Sequence, residues 1–132
     1  INKDKKAAEN KDAAKKVENI DKAIGVYAKL AEKYPTLKAF AKLQEGNTAF
    51  QNELDDKAIP AYQEVITELE AKQCDADEIS YLKQAYQYMG FIYNYDKQDF
   101  NLAKPYWEKL LKLEPDNKYA KDAMEKGLKA AE

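Results

Sequence analysis

Asp21-Lys22-Ala23-Ile24-Gly25-Val26-Tyr27-Ala28-Lys29-Leu30 aligns without gaps with Asp56-Lys57-Ala58-Ile59-Pro60-Ala61-Tyr62-Gln63-Glu64-Val65 and with Asn101-Leu102-Ala103-Lys104-Pro105-Tyr106-Trp107-Glu108-Lys109-Leu110. Each copy carries a small residue, an aromatic four positions later and an aliphatic three further on: Ala23/Tyr27/Leu30, Ala58/Tyr62/Val65 and Ala103/Trp107/Leu110. Steps of four and three return to one face of an α-helix, so the motif predicts three helices that bury equivalent faces. The alanine lets a partner helix come close, and the larger side chains fill the space beneath it. Pro60 and Pro105 share one place in their copies, which predicts a first-turn position where the missing N–H had no intrahelical partner.

Ala58 follows Ala23 by 35 residues and Ala103 follows Ala58 by 45. The second interval needs an insertion, placed at the polar segment 71–78, where the helix would run on and then turn in a long loop. Ahead of the third copy stand Tyr86, Met89-Gly90 and Tyr93, followed by Phe100, Ala103, Trp107, Leu110, Leu113 and Pro115. In order and spacing these residues resemble the tetratricopeptide repeat, a helical pair of about 34 residues, with one extra residue in the turn 94–99. The second copy keeps Gly46, Ala58, Tyr62 and Val65, but Lys42 takes the first aromatic place and Glu70 the closing proline's, leaving Phe40, Leu43 and Phe50 to supply apolar contacts. The first keeps Ile20, Ala23, Tyr27, Leu30 and Pro35, while its front helix, 5–19, offers only Ala7, Ala14 and Val17, weak for a core-facing helix, which is expected to fray or to need further chain upstream.

Beyond Pro115, Ala120, Ala123, Met124, Gly127, Leu128 and Ala131 form one apolar stripe, as a capping helix would. The resemblance therefore implies an all-α fold: a right-handed superhelix of about three helix-turn-helix repeats, 4–35, 37–71 and 79–115, closed by a capping helix over 117–131. The Ala-x-Pro-x-aromatic helix and the long insertion are similar to extracytoplasmic repeat proteins of Bacteroidetes, which leans the expected compartment towards the periplasm or another extracytoplasmic space. A start at Ile-Asn-Lys-Asp, with no apolar leader, reads as a fragment or a processed form.

Composition narrows the chemistry. The 132 residues include no histidine, and all 22 basic residues are lysine. Imidazole bases and His-activated nucleophiles are excluded, as are bidentate guanidinium clamps on phosphate, carboxylate or guanine. A net charge of -2 opposes nucleic-acid binding. No run is apolar enough to span a membrane. Cys74 has no second cysteine to pair with and lies among acids, which raise a thiol's pKa. Asp75, Asp77 and Glu78 lack the glycine and closing glutamate of a calcium loop and read as a helix cap. The expectation is a chain without enzymatic activity and without a cofactor or metal.

Two apolar stripes run along the helix ahead of the third copy: Leu82, Tyr86, Met89, Tyr93 and Tyr81, Tyr88, Phe91, Tyr95. One suffices for a core. Because the first helices of tetratricopeptide repeats line a concave surface, the resemblance implies a groove. Its apolar contacts would be Phe40, Leu43, Phe50, Tyr88, Phe91 and Tyr95, and Asn47, Gln51, Gln84, Gln87 and Asn94 would read a peptide backbone with amide donors and acceptors. The expected partner is a peptide or protein. The competing reading packs the second stripe against neighbouring repeats or another copy of the chain and leaves no free groove. Self-association stays open, and a clamp for a terminal carboxylate lacks the cations it needs.

Overall fold

A computed structural model describes residues 2–131, with side chains for 3–130. Among them are six α-helices: α1 (Asn2–Lys33), α2 (Lys38–Gln51), α3 (Asp55–Glu70), α4 (Ala76–Phe91), α5 (Phe100–Leu113) and α6 (Lys118–Ala131). A 3-10 turn, Pro35–Leu37, leads into α2, and a π-helical turn, Ile92–Asp96, prolongs α4. No strand occurs among the described residues, so the fold is all-α. Each helix packs on the next, and α4 also contacts α2 on one side and α6 on the other.

The repeated motif fixes the core of the second and third copies. Ala58, Tyr62, Val65, Ala103, Trp107 and Leu110 are all 0% exposed. Gly46 on α2 and Gly90 on α4 set the spacing: a Cβ added there would lie 2.7 Å from the ring of Tyr62 or of Trp107, respectively. The polar tips are satisfied across the same pairs. Tyr62 Oη donates to Asn47 Oδ1 at 2.7 Å, and Trp107 Nε1 donates to Asn94 Oδ1 at 3.2 Å.

The turns within the pairs also correspond. Glu53 and Gln98, each five residues before its motif alanine, adopt left-handed backbone with φ of 61° and 52°. Gly46 precedes Tyr62 by 16 residues, whereas Gly90 precedes Trp107 by 17. The π turn takes up the extra residue, its last bond running from Lys97 N–H to the Ile92 carbonyl at 2.9 Å.

Four expectations need correction. The segment 4–35 is no helical pair, because α1 runs through it unbroken and every residue from 3 to 19 is exposed. Lys11 stands where Gly46 stands one repeat later, and a Cβ is already excluded at that spacing. Glu18, the counterpart of left-handed Glu53, stays helical. The ten inserted residues are no long loop either: α4 begins 27 residues before Ala103 while α2 begins 20 before Ala58, and most of the rest lengthens α3. The link between α3 and α4 is short, and a capping box starts α4, with Glu78 N–H on Asp75 Oδ1 at 2.9 Å and Asp75 N–H on Glu78 Oε1 at 3.1 Å.

Pro60 and Pro105 are the sixth residues of their helices, past the first turn, on exposed faces where water can reach the carbonyl each leaves unpaired. In α6, Ala120 and Ala123 are buried, but Leu128 is exposed, so the apolar stripe stops short; the side chain of Ala131 lies outside the described residues.

Candidate functional site: an aromatic band across α2, α4 and α6

A line of rings crosses the face that α2, α4 and α6 share. Phe50 on α2 meets Tyr88 on α4 at 4.9 Å between centroids, and Tyr88 lies 6.0 Å from Phe91, one turn further on. Phe91 in turn meets Tyr95 at 6.0 Å and Tyr119 on α6 at 5.1 Å, edge to face. The spacing Tyr88, Phe91, Tyr95 follows one helical face, so α4 and the π-helical turn that prolongs it align three of the five rings. From beneath, Tyr62 stacks on Tyr88 at 5.6 Å, and Trp107 supports Phe91 at 5.7 Å. The core thus holds the floor of the band in a fixed arrangement.

Exposure grades along it. Phe50, Tyr88 and Phe91 are half-buried against the core, while Tyr95 is 49% and Tyr119 56% exposed. Phe40 sits apart with Tyr81, at 6.0 Å, nearer the start of α2. Leu43, expected in the groove, is buried in the core and offers nothing to a ligand.

The amides are more committed than their spacing suggests. The carbonyl oxygens of Asn47 and Asn94 are taken by Tyr62 and Trp107. Gln87 Oε1 accepts from Asn117 Nδ2 at 3.0 Å, and Gln84 Nε2 turns back to the Ser80 carbonyl at 3.4 Å. Gln51 is exposed at the end of α2. The band is therefore a platform of rings edged by amides, several of which already serve the fold.

No protein family, curated protein or solved structure matches this chain.

Two contributors were not legible in the sequence. Tyr119 begins α6, a helix whose apolar stripe draws attention to Ala120 and Ala123 instead. Asn117 caps that helix, accepting from Ala120 N–H at 2.9 Å, and ties it to α4 through Gln87. Beside Tyr119, a cleft is lined by Gln87, Glu114, Asp116, Asn117 and Lys118. Charge gathers there, at the Tyr119 end of the band.

The other chemistry-bearing groups serve structure. Glu78, held by Lys72 and by the Asp75 N–H, has its carboxyl lowered below the usual range. The Cys74 thiol is pushed up by burial and then by Glu78, and its Sγ donates to the Leu69 carbonyl at 3.2 Å. Burial also raises the Tyr62 and Tyr86 hydroxyls, and Tyr86 donates to Glu70 at 2.9 Å. Among the described residues, no cluster of three acidic or thiol ligands could hold a metal ion, and no helix is long and apolar enough to cross a membrane.

Proposed function

We propose that this chain is a non-enzymatic interaction module of the tetratricopeptide type, with its helical pairs wound as a right-handed superhelix. It holds an extended segment of a protein partner on the concave side formed by α2, α4 and α6. The observation that carries this reading is the continuous run of rings from Phe50 to Tyr95 and Tyr119, rigid below and open above. Rigid aromatic surface binds at low entropic cost and supplies most of the energy of such sites. Phe91 and Tyr88 form the floor, Tyr95 and Tyr119 the open anchors, and Gln51 and Gln87 edge the path. Glu114, Asp116 and Lys118 flank the band at Tyr119, but the anchors themselves are uncharged rings, so affinity depends weakly on salt.

The test is a peptide library selected on the intact chain, with the winners' Kd measured against a Tyr95→Ala/Tyr119→Ala variant. These two rings are the most exposed of the band, so their loss leaves the core intact, and binding should weaken by about 2 kcal/mol. Equal affinity for every selected peptide removes the groove. A second reading is favoured by the half-burial of Tyr88 and Phe91: the band is a packing surface, filled by neighbouring repeats in a longer assembly. In that case the library yields no peptide that the variant loses.

A further inference from the structure

Three amides along the aromatic band are turned the same way. Asn47 Oδ1 accepts from the Tyr62 hydroxyl at 2.7 Å, Asn94 Oδ1 from the Trp107 indole N–H at 3.2 Å, and Gln87 Oε1 from Asn117 Nδ2 at 3.0 Å. Chemistry fixes the last two orientations. An indole nitrogen can only donate, and Asn117 spends its own oxygen on the Ala120 N–H, so its nitrogen is what meets Gln87. Each carbonyl is therefore committed to the fold, while among the described residues no hydrogen bond engages the three NH2 groups. All three residues are partly exposed, with Asn47 one turn before Phe50, Gln87 next to Tyr88 and Asn94 next to Tyr95. The rings are edged by donors.

Such an edge selects among backbone conformations. A ligand in a β-strand brings an N–H for every carbonyl, and those N–H groups would lose water against donors that cannot answer them. An α-helical ligand has already paired its carbonyls and leaves the three NH2 groups unanswered. A polyproline II helix is complementary: its carbonyls stand free, its prolines carry no N–H, and its shape is largely set before binding. The rings suit the same ligand, since aromatic-lined grooves dock proline-rich segments. The Phe50/Tyr88 pair, 4.9 Å between centroids, and the Phe91/Tyr119 pair, 5.1 Å, lie on either side of the 6.0 Å step from Tyr88 to Phe91. Prolines one turn apart, about 9 Å, reach both pairs.

We infer, resting on the groove proposed above, that the segment held on the band is proline-rich and bound as a polyproline II helix, with its carbonyls on the NH2 groups of Asn47, Gln87 and Asn94. Acceptors lie outside the run of rings. Gln84, one turn before Tyr88, turns its nitrogen to the Ser80 carbonyl and leaves its oxygen outward, and Glu114 and Asp116 line the cleft beside Tyr119. These positions suit the N–H groups of ordinary residues that flank the prolines.

Calorimetric titration of the intact chain with capped, uncharged peptides tests this. A proline-rich peptide should bind at least about tenfold more tightly than its counterpart with alanine at each proline, and N-methylalanine at those positions, which also removes the N–H, should recover binding to within about threefold. Asn47→Asp/Asn94→Asp keeps an acceptor for Tyr62 and for the indole but replaces both outward donors with carboxylate oxygens. Its thermal unfolding should stay near that of the parent while its affinity for the proline-rich peptide falls at least about tenfold. Unchanged affinity in this variant overturns the proposal, as does an alanine counterpart that binds equally or a proline-rich peptide indifferent to Tyr95→Ala/Tyr119→Ala. If the aspartate variant fails to fold, the three peptides decide alone. Library peptides that the ring variant loses but that carry no excess of proline overturn the polyproline inference and leave the groove standing, whereas a library with no such peptide removes both.

Discussion

Tyr27 and Tyr62 sit in nearly the same ten-residue sequence and meet different fates. Tyr62 is sealed under Gly46, while Tyr27 stands half-open on α1. The helix that bears the aromatic does not decide its burial. The decision lies in the preceding segment, which needs a residue without a side chain where the helices touch and a position able to adopt left-handed backbone where the chain reverses. The second and third copies have both, at Gly46 and Glu53 and at Gly90 and Gln98. In the first, Lys11 and Glu18 occupy those places, and the helix continues.

The contrast can be broken most sharply at the aromatic itself. Trp107→Ala should cost about 3 to 5 kcal/mol, because two packed helices cannot close the cavity. Tyr27→Ala, measured in dilute solution, should cost about 1 kcal/mol. Urea unfolding of the two variants checks this, and similar losses would mean that the first face is sealed after all.

The glycines give the next largest difference, with opposite signs. Gly90→Leu drives a side chain into the Trp107 ring and should cost about 1 to 3 kcal/mol. Gly25 has nothing within 4 Å of an added Cβ. Gly25→Ala should therefore raise stability by about 0.5 to 1 kcal/mol through helix propensity alone, as a shift in the midpoint of thermal unfolding.

A third difference appears in pH dependence, since the sealed pairs also bring their turns together. Asp55, at the start of α3, has its carboxyl pushed up to about 6, first by burial and then by a hydrogen bond and repulsion from Asp96, with Asp56 adding to the rise and Lys97 opposing it. The folded chain holds this proton more tightly than the unfolded chain, whose carboxyl titrates near the ordinary 3.8. The stabilisation is complete below about pH 4 and is lost as pH rises through about 6. Denaturation midpoints across that window should fall for the wild type relative to Asp55→Asn; parallel curves would show that the two turns do not interact.

The smallest effect sharpens the comparison at the turn. Glu53 and Gln98 hold left-handed backbone that glycine adopts without strain. Glu53→Gly and Gln98→Gly should each gain about 0.5 kcal/mol, the strain relieved slightly exceeding the added chain entropy. Glu18→Gly, in the middle of α1, should instead lose about 1 kcal/mol of helix propensity.

The paired part of the fold was legible because its signals are local: alanine, aromatic and aliphatic at fixed steps, with glycines 16 and 17 residues ahead of the aromatic. The unbroken α1 was not, because repeat logic demands a turn near Asn19 while the residues there contain no breaker, and local helix propensity wins. At the candidate site the rings of α4 could be read from their helical spacing. The amides could not, because a side chain that spaces like a ligand contact can equally be spent on Trp107 or Tyr62, and only the distance between helices decides which. Tyr119 was hidden for a related reason: its ring lies beside Phe91 through the crossing of α4 and α6, which no periodicity within α6 reports.

The π-helical turn at Ile92–Asp96 shows how this chain tolerates insertions. One additional residue between Gly90 and Trp107 is absorbed as a widened turn, so the contact upstream and the left-handed position downstream keep their places. Removing one residue from that turn would restore the 16-residue count of the second pair and rotate Asn94 and Tyr95 by about 100° about the helix axis, detaching Asn94 from the indole and Tyr95 from the band. The widened turn therefore couples a gene-level change of a single codon to the orientation of an exposed ring, so that homologous chains differing in length here would present different surfaces on the same scaffold.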